Sequence, residues 1–162
     1  MDEILKIGKL FKIDENGFIV NDAALHKINS PWKEVVEDIK KVYLDNLKEA
    51  IDSIYVRGSV ARGEAIENIS DVDTFAVVSK NPAEIDKSFF RQARKDLAQK
   101  YPFITGVEFG FINYNELFAH DRFFIDRFTI KTQSVCVYGQ DLALQIPSFS
   151  PDFKTASHFS LH

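Results

Sequence analysis

Residues 54–78 have the sequence IYVRGSVARGEAIENISDVDTFAVV, and this stretch decides the fold. It predicts a strand that ends near Arg57, a Gly58-Ser59 turn, and a second strand that begins with Asp71 and Asp73. Alternate side chains of a strand share a face, so the two aspartates should project together. Two carboxylates this close repel each other unless water or a hard cation lies between them. The pattern therefore predicts a divalent-metal site where the second strand begins.

The Gly58-Ser59 turn is the second chemical feature of this stretch. A strand that passes through Gly-Ser into a short helix presents backbone amides and a hydroxyl group at the start of that helix, an arrangement that suits phosphate. Glycine lets a phosphate approach the backbone closely. Arg57 and Arg62 add positive charge on either side of the turn. Phosphate-binding groups and metal ligands are thus expected at one place.

The composition predicts one globular domain. The chain has 162 residues, of which 45% are hydrophobic and 15 are phenylalanine, enough to bury a single core. We expect an amino-terminal segment at 1–29 packed on the domain, the domain itself at 30–144, and an irregular tail at 145–162. A net charge of -4 argues against a broad nucleic-acid surface but leaves room for a local basic pocket.

The sequence contains few features that indicate a disulfide, a reactive thiol or a membrane segment. Cys136 is the single cysteine and lies in an apolar run, which predicts a packed, inert thiol. The chain opens with acids and lysines, unlike a secretory signal. No stretch approaches the roughly 18 apolar residues that a membrane span requires. We therefore expect no membrane partner and a cytoplasmic location.

The segments before and after the central stretch predict helices. Ser30-Pro31 marks the start of an amphipathic helix that continues to Ala50. Asn81-Pro82 is expected to begin a second helix. The apolar stripe predicted for this second helix is Ile85, Phe89, Ala93 and Leu97. Its basic residues are interpreted as a solvated face: Lys87, Arg91, Arg94 and Lys95.

Further strands are predicted on both sides. A third strand at 104–112 carries Glu108, and a short strand is expected at 135–138. A helix is expected to begin near Asn115 and to continue in some form to residue 131. A short amino-terminal hairpin is predicted within residues 9–20. Together these elements predict an α/β (α+β) fold, a small mixed twisted sheet of about four or five strands with helices packed on one side and the active site along one sheet edge.

The run from Arg57 to Ala65, followed by Ser70-Asp71-Val72-Asp73, resembles the signature of the DNA polymerase β-like nucleotidyltransferase superfamily. It is most similar to the small prokaryotic minimal, aminoglycoside and lincosamide nucleotidyltransferase domains. Their pattern is Gly-Ser, an interval, Asp-x-Asp or Asp-x-Glu at a strand start, and a third carboxylate on a later strand. Glu108 is in the right order for that third carboxylate, although the family more often has Asp there. The resemblance covers about residues 50–144.

The resemblance implies Mg²⁺-dependent transfer of a nucleoside monophosphate, AMP from ATP by family habit, to a hydroxyl group of a small molecule. Asp71, Asp73 and Glu108 would bind two Mg²⁺ ions, with Glu108 also acting as the general base. Gly58 and Ser59 would bind the triphosphate. Arg57, Arg62 and Lys131 would offset its charge.

Alternative interpretations remain at this stage. The chain is also similar to minimal nucleotidyltransferase antitoxins, which adenylylate or bind a helical partner protein, and a non-catalytic nucleotide-binding module is a further alternative. Larger family members continue into a helical domain, so half of the acceptor site is expected to come from elsewhere, for example from a homodimer mate. Arg57 and Arg62 have a plainer interpretation too, as surface residues paired with nearby acids.

Overall fold

A single mixed sheet of four strands is the centre of the computed structural model, which describes residues 11–151. The strands are β1 (Ile51–Arg57), β2 (Val72–Val78), β3 (Val107–Asn113) and β4 (Ser134–Gly139). Their order across the sheet is β3-β2-β1-β4. β1 is antiparallel to both β2 and β4, whereas β2 and β3 are parallel. The predicted mixed α/β fold with a small sheet is confirmed.

The two longest helices cover one face of the sheet. They are α1 (Trp32–Leu47) and α3 (Ser88–Lys100). Tyr43 of α1 lies at the centre of this layer, fully buried, with its ring edge toward the rings of Phe109 and Phe111. Its hydroxyl group lies 2.9 Å from the Thr74 hydroxyl group, so the polar end of the side chain is also satisfied. This face holds the main hydrophobic core.

Shorter helices cover the opposite face. They are α4 (Tyr114–Ala119) and α5 (Phe124–Gln133). Side chains from both, with Leu142 and Ile146 that follow β4, pack against Tyr55 and Phe75 of the sheet. The helices predicted on one side of the sheet therefore correspond to α1 and α3. The other face is covered by the shorter helices α4 and α5. The remaining helix, α2 (Ser59–Arg62), lies in the connection between β1 and β2.

The helix predicted after Asn81-Pro82 begins later than the sequence indicates. Residues 82–84 form only one 3-10 turn, because the Asn81 side chain accepts a hydrogen bond from the Ala83 amide. The Asp86 carboxylate then accepts the amide of Ser88, where α3 begins. Ile85, Ala93 and Leu97 are buried as predicted, but the prediction that Phe89 faces the core is wrong. Its side chain is 55% exposed, and the residues buried on α3 are Phe90, Ala93 and Leu97.

Two other segments differ from the sequence predictions. The helix expected from Asn115 to residue 131 is two helices, α4 and α5, separated by an extended residue, His120, and a 3-10 turn. The predicted amino-terminal hairpin is a single bridge between Ile13 and Ile19, and residues 9–10 lie outside the described residues. Within residues 11–151, no helix combines the length and apolar character needed to cross a membrane.

Gly139 ends β4 in a conformation that only glycine adopts easily. Its φ is +81°, and a Cβ atom there would collide with the backbone carbonyl group of Asp52. We therefore expect Gly139→Ala to lower the free energy of unfolding by more than about 2 kcal/mol, from backbone strain and overpacking together.

Urea denaturation followed by circular dichroism measures this change. Gly106→Ala is the matched control, because no atom lies within 4 Å of a Cβ built there. Equal unfolding midpoints for the two variants would contradict the argument.

Candidate functional site

Three charged residues lie side by side across three neighbouring strands. Arg57 at the end of β1 pairs with Asp73 of β2, and Asp73 pairs with Glu108 of β3. Neighbouring strands are about 4.8 Å apart, and directly paired residues project to the same face. The guanidinium Nη2 of Arg57 lies 3.9 Å from Oε2 of Glu108. The site therefore lies at one end of the sheet, on the face covered by α4 and α5, with Glu108 on the edge strand.

Asp73 has the most unusual environment of the three. Its Oδ1 atom is buried and has no hydrogen-bond partner among the described residues. Burial raises the pKa of Asp73, and the nearby Glu108 carboxylate raises it further, while Arg57 acts in the opposite direction. An unsatisfied, buried carboxylate oxygen is costly and is rare in native structures. This atom is available for a ligand that supplies positive charge.

The glycine of the Gly-Ser turn touches the same carboxylate. Gly58 has a φ of +78°, and a Cβ atom on it would lie 3.3 Å from Oδ2 of Asp73. Glycine therefore allows the turn and the aspartate to approach each other. α2 begins at Ser59, and the Gly58 carbonyl group accepts a hydrogen bond from the Arg62 amide at 3.2 Å. The turn and the carboxylates predicted from the sequence are thus neighbours in space.

The carboxylates fit a magnesium ion by their chemistry. Asp71 is exposed just before β2, and its interaction with Asp73 lowers the pKa of the latter. Within residues 11–151, no group of three His, Cys, Asp or Glu side chains is arranged to enclose a metal ion. Mg²⁺ is commonly held by one or two carboxylates, water and substrate phosphates, without a full protein cage. Oxygen donors on adjacent strands and the unsatisfied Oδ1 of Asp73 match that mode of binding.

A cavity of about 270 Å³ opens beside this row of charges. It lies between the sheet and α5, and Arg57, Glu108, Asp126 and Thr129 supply its polar lining. Burial raises the pKa of Asp126, whereas Arg127 and Arg57 oppose that shift. Asp126 is not predicted as a site residue from the sequence, because it lies on α5 outside any local motif. It reaches the site only through the packing of that helix on the sheet.

Two of the predicted cationic residues have other contacts. Arg62 points its Nε atom to Oε2 of Glu64 at 3.1 Å, the surface pair that the plainer interpretation anticipates. Lys131 donates a hydrogen bond from its ammonium group to the Ala143 carbonyl oxygen at 2.8 Å. Of the three cations predicted for the site, Arg57 is therefore the one that lies beside the carboxylates. A larger cavity, of about 770 Å³, lies between α1 and β4 and contains none of the predicted site residues.

Comparisons with known proteins agree with this architecture. A family described as "Nucleotidyltransferase domain" matches residues 33–131. No curated protein sequence matches the chain. The solved spectinomycin adenyltransferase AAD(9) from Enterococcus faecialis, with ATP and spectinomycin, is 15% identical with a TM-score of 0.50. The similarity covers 80% of this chain and 64% of that enzyme. A toxin-antitoxin structure with AMP-PNP is 17% identical over 77% of this chain and 89% of its own, with a TM-score of 0.48.

Proposed function

The chain belongs to the nucleotidyltransferase domain family, and from this premise we propose that it transfers AMP from ATP to a hydroxyl group of a small molecule. The new bond joins the acceptor oxygen to the α-phosphorus of ATP. The bond that breaks is the one between the α-phosphorus and the bridging oxygen, so pyrophosphate leaves with that electron pair. The proton of the acceptor hydroxyl group goes to a carboxylate of the protein.

The observation that carries the proposal is the contact between the Gly-Ser turn and the carboxylate row. Gly58 lies against Asp73, and Asp73 is paired across the sheet with Glu108. A phosphate bound at the turn would therefore lie next to oxygen ligands for a divalent cation. Either feature alone is common, but their contact in the folded chain supports phosphoryl chemistry in particular.

Asp71, Asp73 and Glu108 are the residues that would hold Mg²⁺. When bound, Mg²⁺ supplies positive charge that stabilises the attacking and leaving oxygens of the transfer. The protein's own contribution is to fix the carboxylates: the strand pairing places Asp73 between Arg57 and Glu108. Glu108 is more exposed than Asp73, with 58% of its side chain accessible, and it lines the cavity. It is therefore the group suited to accept the proton from the acceptor.

The triphosphate is proposed to bind at the turn. The Ser59 hydroxyl group and the first amides of α2 are donors for its phosphates, and Arg57 and Arg62 offset its negative charge. Arg62 would exchange its exposed contact with Glu64 for the phosphate. Such an exposed pair contributes little to stability, so the exchange costs little. Lys131 would first have to leave the Ala143 carbonyl group, so we assign it the smallest part.

The acceptor is proposed to enter the cavity lined by Arg57, Glu108, Asp126 and Thr129. Glu108 there faces both the metal ligands and the entering hydroxyl group. Asp126 and Thr129 offer an acceptor and a donor for further polar groups of the substrate. The cavity also has apolar walls, which suits a molecule that presents one hydroxyl group for reaction while the rest is partly desolvated.

Pyrophosphate release tests the proposal directly. The protein is incubated with each nucleoside triphosphate and a panel of hydroxyl-bearing small molecules, with Mg²⁺ or with EDTA. We expect release that depends on Mg²⁺ and on one acceptor class, and that is fastest with ATP. If release requires the addition of cell lysate and no small molecule supports it, the acceptor is a partner protein. No release with any acceptor would contradict the proposal.

Replacing Ser59 by Ala should weaken ATP binding by about tenfold to hundredfold, because one hydrogen bond to a charged phosphate is lost. Isothermal titration of α,β-methylene-ATP, whose α–β bridge cannot be cleaved by this reaction, measures the change. Ser88→Ala is the control, because that hydroxyl group bonds to Asp86 at the start of α3. An unchanged affinity in Ser59→Ala would remove Ser59 from the nucleotide site.

A further inference from the structure

Another cavity, lined by cations and aromatic rings, lies beside the strand that carries Glu108. It has a volume of about 430 Å³ and is lined by Lys87, Phe90, Arg91, Arg94, Phe109 and Phe111. Lys87 just before α3 and three residues of α3, Phe90, Arg91 and Arg94, follow a spacing of three and four, so they lie on one face of the helix. Phe109 and Phe111 come from β3, which is an edge strand. Three cations and three aromatic rings thus line the cavity, and its lining includes no carboxylate.

Within residues 11–151, Lys87, Arg91 and Arg94 form no ion pair with a carboxylate. Asp86 interacts electrostatically with Arg91. The Oδ1 atom of Asp86 also accepts hydrogen bonds from the amide and hydroxyl groups of Ser88, at 2.9 and 2.7 Å. In the described part of the chain, the positive charge at this cavity is therefore not neutralised by a direct ion pair.

Arg94 is held in a fixed orientation. Its Nε atom donates to the Val107 carbonyl oxygen at 3.2 Å, and its guanidinium group lies 5.8 Å from the centre of the Phe109 ring. Side chains that are held before binding lose less entropy when a ligand arrives. Guanidinium groups fixed in this way are well suited to the paired oxygens of a phosphate.

The cavity adjoins the proposed acceptor cavity. Phe111 lines both, and Glu108 precedes Phe109 on β3. Glu108 and Phe111 are three positions apart on the strand, which is a distance of about 10 Å. A ligand held by the cations of α3 can therefore extend around the open edge of β3 to the carboxylate of Glu108.

We propose that this cavity binds a phosphate group of the acceptor, so that the substrate of the transfer is a phosphate-bearing molecule with a free hydroxyl group. The role as acceptor rests on the proposed nucleotidyl transfer, whereas the binding of phosphate does not. A local cationic cavity is compatible with a net charge of -4, because the field at the surface depends on nearby groups. The source of the phosphate is either a small sugar phosphate or the end of a single-stranded nucleic acid.

Two probes distinguish these sources. Binding of ribose 5-phosphate is measured by isothermal titration, and binding of a short fluorescent single-stranded oligoribonucleotide is measured by anisotropy. Both are measured without nucleoside triphosphate and without Mg²⁺, so their results do not depend on whether transfer occurs. The test variant is Lys87→Gln with Arg91→Gln, because both side chains are exposed and their loss should not unfold α3.

The matched control is Lys48→Gln with Lys95→Gln, which removes the same charge from exposed positions outside the cavity. We expect one probe to bind on the order of tenfold more weakly to the test variant and equally to the control. If that probe is the oligoribonucleotide, the slope of log affinity against log salt should also decrease by about 1.4. The proposal is overturned if neither probe binds, or if the two double variants lose affinity equally.

Discussion

Replacing Asp73 by Asn should reduce kcat/KM for nucleotidyl transfer by at least about 10³-fold while the protein remains folded. The loss follows because the amide removes the charge that would hold Mg²⁺, and metal stabilisation of a transferring phosphoryl group is worth several kcal/mol. The fold should persist because strand pairing and burial, not ionisation, position this side chain.

The stability of Asp73→Asn provides a second readout. Burial and Glu108 raise the pKa of Asp73, so the ionised form is less favourable in the folded chain than in the unfolded one. Such a group lowers stability once the pH is high enough to ionise it, and the neutral amide removes that cost. At neutral pH we therefore expect the free energy of unfolding to stay equal or to increase.

Glu67→Gln is the control for Asp73→Asn, because Glu67 is an exposed residue in the same connection between β1 and β2. Steady-state kinetics and urea denaturation on both variants separate activity from folding. Retained activity in Asp73→Asn would contradict the metal assignment. Unfolding of the variant would instead contradict the argument about burial.

Replacing Glu108 by Gln should lower kcat by about 10²-fold to 10⁴-fold, because the acceptor hydroxyl group loses its general base. Glu108 is also a proposed Mg²⁺ ligand, but the triphosphate itself is proposed to bind at Ser59 and not at β3, so the KM for ATP should change much less than kcat. Glu108 is exposed, so no loss of stability is expected. Single-turnover kinetics at saturating acceptor measure the chemical step.

The control for Glu108→Gln is Glu84→Gln, an exposed residue in the turn before α3. A kcat within a few fold of the unchanged protein would remove Glu108 from the proton transfer. A large rise in the KM for ATP with a normal kcat would place Glu108 in nucleotide binding.

The central stretch was predictable because its signals are local. Short apolar runs identified β1 and β2, and glycine and serine at the turn marked the position where Gly58 meets Asp73. The choice of Glu108 depended on order along the chain and on the resemblance. The parallel pairing of Glu108 with Asp73 is a property of the folded sheet that no local pattern contains.

The rest of the site depends on packing between distant segments. Asp126 has no neighbouring motif, and it faces the cavity because α5 lies across the sheet. The cations of α3 formed an ordinary solvated helix face in the sequence. Their proposed role depends on the cavity that they share with Phe109 and Phe111 of the edge strand β3, which only tertiary packing creates.

The central claim is tested most directly by following two labels of ATP in one reaction with the unchanged protein, Mg²⁺ and a mixture of candidate acceptors. Nucleotidyl transfer predicts that radioactivity from the α-phosphate appears on the acceptor and radioactivity from the γ-phosphate appears in pyrophosphate. It also predicts that Asp73→Asn prevents both. Transfer of the γ-label to an acceptor, or α-label transfer that is equal in Asp73→Asn, would contradict the account.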